Sequence, residues 1–314
     1  MKKNYIAVGT TVLAVAGTVG YTIRMFNKFM GRTDDKIPTR DSKLVKEVLH
    51  PYADGIYEGV EFLRGEVSEI VYTESHDGLK LAAVCLPAKN PKATIILMHG
   101  FRSNPYWDFA GAVRKYSEMG LNLVLPYQRA HGKSEGKYLT FGVKERHDVH
   151  SWIKWVKERF GDNEKILVDG MSMGSATVLM ASELGYPENV KGIIADCGYT
   201  SPYDIVSCVM QDTMHIPKYP FIWMYDAACR IFADFSLKDC SATNAMKVNN
   251  VPVFFAHGEA DKFVPHWMTK QNYDACKAKK VFVSVPDAGH GMCYLIDRER
   301  YERELDQFIN TVLN

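Results

Sequence analysis

The sequence predicts an α/β protein, with a mostly parallel central sheet and helices on both of its faces. First, short apolar runs recur along the chain without alternating: ATIILMHG, LNLVLPY, ILVDG, GIIAD, VPVFFAHG and VFVSVP. Continuous rather than alternating runs suit strands that are covered on both faces. Second, helical stripes lie between them. Val149, Trp152, Ile153, Val156 and Phe160 follow the i, i+3, i+4, i+7, i+11 spacing, and Leu305, Phe308, Ile309 and Val312 repeat it near the end. Third, KILVDGMSMGSATVLM, residues 165–180, passes from an apolar strand through Gly-Met-Ser-Met-Gly into a small-residue helix. Strands alternating with amphipathic helices build a parallel sheet flanked on both sides.

Taken in order, the chain opens with Lys2 and Lys3. YIAVGTTVLAVAGTVGYTI, residues 5–23, follows and carries no charge, and Arg24, Lys28 and Arg32 come after it. That run is just long enough for one membrane-spanning helix. Ala14-Val15-Ala16 offers the A-x-A site of a cleavable signal peptide. Cleavage there would leave a short apolar core and discard half of the run, so residues 1–30 read as a retained anchor at the cell membrane. Positive charge on both flanks leaves the orientation unset. Residues 31–60 are polar and mixed in charge, and read as a linker with one short helix. Removal of residues 1–30 is therefore expected to leave the rest of the protein soluble and working.

Residues 61–314 read as one domain. EFLRGEVSEIVYTES and GLKLAAVCL form two antiparallel strands joined by the turn residues His76-Asp77-Gly78. With 46% hydrophobic residues in 314, the chain can bury a sizeable core. Lys and Arg number 38 against 37 Asp and Glu, with no basic stripe, so nucleic acid is not an expected partner. The seven cysteines, Cys85, Cys197, Cys208, Cys229, Cys240, Cys276 and Cys293, are odd in number, scattered and without a C-x-x-C pair. No disulfide framework and no zinc site follow from them, and they suit a reducing, cytoplasmic side of the membrane.

In open α/β sheets, ligands bind beyond the carboxyl ends of the strands, and Gly-Met-Ser-Met-Gly lies at such an end. A serine on a sharp strand-to-helix turn is held in a strained conformation with its hydroxyl exposed at a helix N-terminus. Gly170 and Gly174 remove side chains that would collide with the neighbouring strand and helix. Ser172 is thus a candidate nucleophile. The competing role is a capping serine in an ordinary turn.

A serine hydroxyl needs a base, and the base needs an orienter. An elbow of this kind is followed, in order, by the acid and then the histidine. VPVFFAHGEADKFVP supplies Asp261 in the loop after a buried strand, and PDAGHG supplies His290 after the next. Asp196, closing GIIAD, is a second candidate acid, with a helix cap before Pro202 as its competing role. His99, His131 and His257 each precede a glycine near a strand end, where imidazole commonly bonds to backbone carbonyls. His147, His150, His215 and His266 carry no motif, and Asp287 reads as a turn residue. Donors for an oxyanion would be main-chain amides: that of Met173, after the serine, and that of Phe101 in HGFRSN.

The combination of His99-Gly100-Phe101, QRAHGKSEG, GMSMG, ADCGYTSP, HGEADKFVP and PDAGHG resembles the α/β-hydrolase superfamily. It is most similar to the bacterial esterase-like and prolyl-oligopeptidase-like branch, many members of which carry an N-terminal anchor. The resemblance covers residues 61–314. It implies Ser172 as nucleophile, Asp261 as acid, His290 as base, and Phe101 with Met173 as oxyanion donors, with no cofactor or metal. One departure is Gln128, where relatives usually carry an acidic residue just before the arginine. No propeller of the prolyl oligopeptidase kind precedes residue 61, which lowers the peptidase reading.

The segment at about 202–250 corresponds to the superfamily's lid. Met210, Met214, Tyr219, Phe221, Trp223, Met224, Tyr225, Phe232 and Phe235 lie in it, divided between core and an apolar acyl pocket. The expected function is a membrane-anchored serine carboxylesterase acting on small to medium acyl esters. A thioesterase, a small serine peptidase and a non-catalytic hydrolase-fold binding protein are the alternatives.

Overall fold

The computed structural model describes residues 17–65 and 68–314. Eight strands form one sheet: β1 (Glu69–Glu74), β2 (Lys80–Leu86), β3 (Ala93–Met98), β4 (Leu121–Pro126), β5 (Ile166–Met171), β6 (Val190–Asp196), β7 (Val253–Gly258) and β8 (Lys280–Val285). Their order across the sheet is β1-β2-β4-β3-β5-β6-β7-β8. β1 and β2 pair antiparallel, as does β2 with β4, while β4, β3 and β5 to β8 are parallel neighbours. The molecule has the α/β-hydrolase fold. The predicted hairpin forms with Glu74 opposite Lys80, and Gly78 takes φ +82° in its turn.

The continuous apolar runs fall on these parallel strands because both sheet faces are covered. Along β3, Ile96 and Met98 enter one core while Ile95 and Leu97 enter the other. The first core is closed by α4 (Glu145–Phe160), α5 (Met173–Ala181), α8 (Ala242–Met246) and α9 (His266–Ala275). The second is closed by α2 (Ala53–Leu63), α3 (Val113–Glu118) and α11 (Arg298–Leu313). α4 and α11 bury the stripes read from the sequence: Val149, Trp152, Ile153 and Val156 on one, Leu305, Phe308 and Ile309 on the other. α5 is buried on every side, which is why its sequence shows small and apolar residues without periodicity.

Ordered packing begins earlier than the sequence suggested. Residues 45–63 are helical, with Val45, Leu49, Ala53, Ile56, Val60 and Leu63 buried, and α2 ends on the Glu61-Phe62-Leu63 that the sequence reading gave to a strand. Spacings of three and four put those six side chains on one stripe. Ahead of them, a helix described from residue 17 to 30, here α1, packs on the body with Phe26 and Met30 fully buried. The chain leaving it pairs with the 130–139 loop, Thr33 N–H donating to Ala130 O and Leu139 N–H to Met30 O, each at 2.9 Å. Among the described residues no helix is long and apolar enough to cross a membrane. Residues 1–16 of the expected anchor lie outside the described residues. The last part of the uncharged run, residues 17–23, belongs to α1, with Thr22 buried against the protein. Removing residues 1–30 would therefore strip two core side chains, each contributing about 1.5–3 kcal/mol, and not only a tether.

Gln128, the departure from the family pattern, donates from Nε2 to His99 O. The neighbouring Arg129 finds its acids elsewhere. It is bidentate to Asp148 at 2.6 and 2.7 Å and to Asp77 at 2.8 and 3.0 Å, so the arginine's structural role survives the substitution.

Candidate active site

The site lies beyond the carboxyl ends of β3, β5, β7 and β8. Ser172 joins β5 to α5 at φ +55°, ψ −111°, a conformation that neighbouring structure must enforce. The enforcement comes from close backbone approaches. A Cβ on Gly174 would lie 1.8 Å from Met98 O, and one on Gly170 would lie 2.3 Å from the Gly174 carbonyl. Both glycines let α5 start directly against β3. Ser172 N–H donates to Asp196 O at 2.9 Å, fixing the turn to β6.

Ser172 Oγ is 2.9 Å from His290 Nε2, and His290 Nδ1 is 2.7 Å from Asp261 Oδ2. The structure thus joins the three side chains that the sequence singled out. The bonding pattern fits a neutral imidazole that donates from Nδ1–H to Asp261 and accepts the serine proton at Nε2. Asp261 Oδ1 accepts the amides of Phe263 at 2.8 Å and Val264 at 2.9 Å. Burial alone would push the Asp261 carboxyl up. The bonds from His257, His290 and the Phe263 amide outweigh it and hold the group below the usual carboxylate range.

Asp196, the second candidate acid, does not reach His290. Its Oδ2 accepts the Tyr301 hydroxyl at 3.2 Å, its Oδ1 has no partner among the described residues, and burial raises its pKa. Asp169 beside it accepts the Tyr116 hydroxyl at 2.6 Å and is pushed up to about 8 by burial, with the Asp196 charge adding to the shift. These two acids lie buried under the turn, and burial raises the pKa of both.

The two residues expected to supply oxyanion donors both adjoin Ser172. Met173 is the first residue of α5, where an amide has no intrahelical acceptor. The Gly100–Phe101 turn abuts the serine: a Cβ on Gly100 would be 3.3 Å from Ser172 Cβ. Asp108 fastens this turn through its Oδ2, which accepts Gly100 N–H at 2.6 Å, and its Oδ1, which accepts the Ser103 hydroxyl. Sequence reasoning missed Asp108, because no motif links it to the turn. It also missed His257, read as a carbonyl-bonded turn histidine. His257 Nε2 does face Val264 O at 3.0 Å, but it also faces Asp261 Oδ2 at 3.1 Å. The remaining histidines stay outside the chemistry: His99 bonds to Gly100 O, His131 to Arg129 O and His150 to Ala181 O. Asp287 is exposed.

Two cavities converge on Ser172. One, of about 130 Å³, has an almost wholly apolar lining that includes Phe101, Phe141, Met210, Met214, Phe221 and Tyr225. The other, of about 310 Å³, is bordered by His290, Asp108, Asp169, Asp196 and Trp107. Of the lid residues named from the sequence, Met210, Met214, Phe221 and Tyr225 reach the apolar cavity, Phe235 is core, and Tyr219, Trp223 and Phe232 are exposed. The segment expected to form a lid consists of α6 (Pro202–Cys208), a π-helix at Val209–Thr213, α7 (Lys218–Ala233) and α8. His76, Asp77 and Asp148 are close enough to hold a cation, but Arg129 already pairs with both carboxylates.

Comparison with known proteins finds similar chains and folds. A model described as the prolyl oligopeptidase family matches residues 134–314. The uncharacterized protein YqkD of Bacillus subtilis (strain 168) is 21% identical over 315 residues, covering 99% of this chain and 98% of that protein. The uncharacterized protein YfhR of Escherichia coli (strain K12) is 25% identical over 257 residues, covering 79% and 82%. Among solved structures, the Pyrococcus furiosus esterase Pf2001 superposes with a TM-score of 0.64 at 23% identity, covering 81% of this chain and 95% of that one.

Proposed function

The chain belongs to the prolyl oligopeptidase family and is a hydrolase, and from that premise we propose that it is a serine carboxylesterase acting on small to medium acyl esters. One observation carries the reading: the Ser172–His290–Asp261 chain of bonds, at 2.9 and 2.7 Å, stands at the mouth of an apolar cavity. His290 Nε2 takes the proton of Ser172 Oγ as the oxygen attacks the ester carbonyl. Asp261 holds the ring in the accepting tautomer and balances the imidazolium. The amides of Phe101 and Met173 receive the negative charge that develops on the carbonyl oxygen. Collapse expels the alcohol, which takes the proton from His290, and leaves an acyl-Ser172. Water activated by the same imidazole then releases the acid. Every step uses residues of this chain.

The apolar cavity is the acyl site in this reading, and its size sets an expectation. An engineered apolar cavity of about 150 Å³ in another protein takes up benzene, six carbons. The cavity of about 130 Å³ here should favour acyl groups of roughly that length. kcat/KM for 4-nitrophenyl esters should rise from acetyl to a maximum near hexanoyl and fall beyond octanoyl. Thioesters and N-blocked peptide amides run beside them would expose a thioesterase or a peptidase. A maximum on a peptide amide, or no dependence on acyl length, would sink the ester reading.

We further propose that the protein is held at the cell membrane through its N-terminus, with the catalytic body on the cytoplasmic face. The uncharged stretch that precedes α1 in the sequence supports the attachment, and seven free cysteines suit a reducing compartment. The full chain should stay with membranes through an alkaline wash, and its body should resist protease added to intact wall-less cells. Recovery of the full chain in the wash, or digestion from outside, would count against the proposal.

A further inference from the structure

One wall of the acyl cavity comes from the far end of the chain. Tyr21, Thr22, Met25 and Phe29 of α1 line it. Their spacing puts them on one face of the helix. Thr22, Phe26 and Met30, four residues apart, are buried along its edge, and Arg24, Asn27 and Lys28 on the other side are exposed. Phe26 locks the helix between body and lid: its ring centroid is 5.0 Å from that of Tyr138, 6.0 Å from Tyr225 and 5.5 Å from Phe232. The end of α1 is tied to the reacting centre. Arg102, next to Phe101 in the turn against Ser172, donates from Nη1 to Gly31 O at 3.0 Å.

We propose that α1 is the specificity element of the acyl cavity, the side chains at 25 and 29 setting the length of acyl chain accepted. The inference rests on the acyl-ester reading for its substrate class, but the wall itself is a matter of packing. A side chain on a helix that is itself held by the ring contacts of Phe26 and by main-chain hydrogen bonds has little room to retreat when a longer chain enters. Its bulk therefore subtracts from the room left for the acyl tail. In an apolar pocket, one methylene too many or too few changes kcat/KM by roughly tenfold to two-hundredfold. An indole at position 25 should shorten the cavity, and loss of the phenyl ring at position 29 should lengthen it.

The experiment compares the wild type with Met25→Trp, Phe29→Ala and the exposed-face Arg24→Ala. Two ratios are read: kcat/KM for 4-nitrophenyl hexanoate over acetate, and affinity for pentylboronic over methylboronic acid by thermal shift. Met25→Trp should lower both ratios about tenfold. Phe29→Ala should move the best ester to a chain about two carbons longer, and Arg24→Ala should leave the ratios alone. Folded Met25→Trp and Phe29→Ala proteins with wild-type ratios would overturn the wall. If no ester is hydrolysed but the boronate ratios still follow residues 25 and 29, the wall stands and the ester reading falls. Boronate ratios that also ignore these residues would overturn the wall.

Discussion

Replacing Ser172 by alanine is expected to lower kcat for ester hydrolysis by on the order of 10⁶, the scale seen when a triad serine is removed elsewhere. Activity above the uncatalysed rate would survive only through the amides of Phe101 and Met173 and through binding, which supply about 10³–10⁴ in comparable sites. The fold should be indifferent. Ser172 is 5% exposed, and its hydroxyl bonds to His290 and to nothing else among the described residues. Alanine removes one oxygen, whose hydrogen bond contributes about 0.5–1.5 kcal/mol. Its methyl group fits where the serine Cβ already sits. The backbone strain at φ +55° is carried by the turn and remains. The measurement is turnover of 4-nitrophenyl hexanoate together with Tm on the same preparation. A folded Ser172→Ala protein within tenfold of wild-type turnover would remove Ser172 from the mechanism.

What the sequence made legible was whatever it encodes locally. Parallel strands announce themselves as continuous apolar runs because both faces are covered, and all six runs quoted from the sequence are strands of the sheet. The elbow was legible because two glycines flanking a serine have a steric reason, seen in the 1.8 Å approach of a Cβ on Gly174 to Met98 O. The helical stretch 45–63 was legible in principle. Val45, Leu49, Ala53, Ile56, Val60 and Leu63 follow helical spacing, but the polar residues around them outnumber them and the segment read as a linker with one short helix. α1 was misread for a different reason. Phe26 is buried against Tyr138, Tyr225 and Phe232, residues more than a hundred positions away, and no local pattern distinguishes a helix buried in protein from one buried in lipid. His257 and Asp108 act through contacts that only the closed fold creates.

The choice between two acids shows the same division, and it yields the second large effect. Asp196 and Asp261 both follow apolar strands, so position alone does not rank them. Geometry does: Asp261 Oδ2 is 2.7 Å from His290 Nδ1, whereas Asp196 bonds to the Tyr301 hydroxyl. Asp261→Asn is expected to cost on the order of 10⁴ in kcat, as loss of the orienting carboxylate does in other triads. The amide would keep its Oδ1 on the Phe263 and Val264 amides, so its NH₂ would face His290 Nδ1. A donor there favours the tautomer with the proton on Nε2, which cannot accept the Ser172 proton, and the negative charge that balances the imidazolium is gone. Asp196→Asn should cost far less, under about tenfold. Burial already raises the pKa of that carboxyl, and an amide oxygen can still accept from Tyr301. Measured at one pH with Tm as a control for folding, the two variants should differ by about a thousandfold in kcat. The reverse ranking would move the orienting acid from the loop after β7 to the end of β6. Equal and large losses would show that the buried acids under the turn hold the elbow in shape as strongly as Asp261 holds the base.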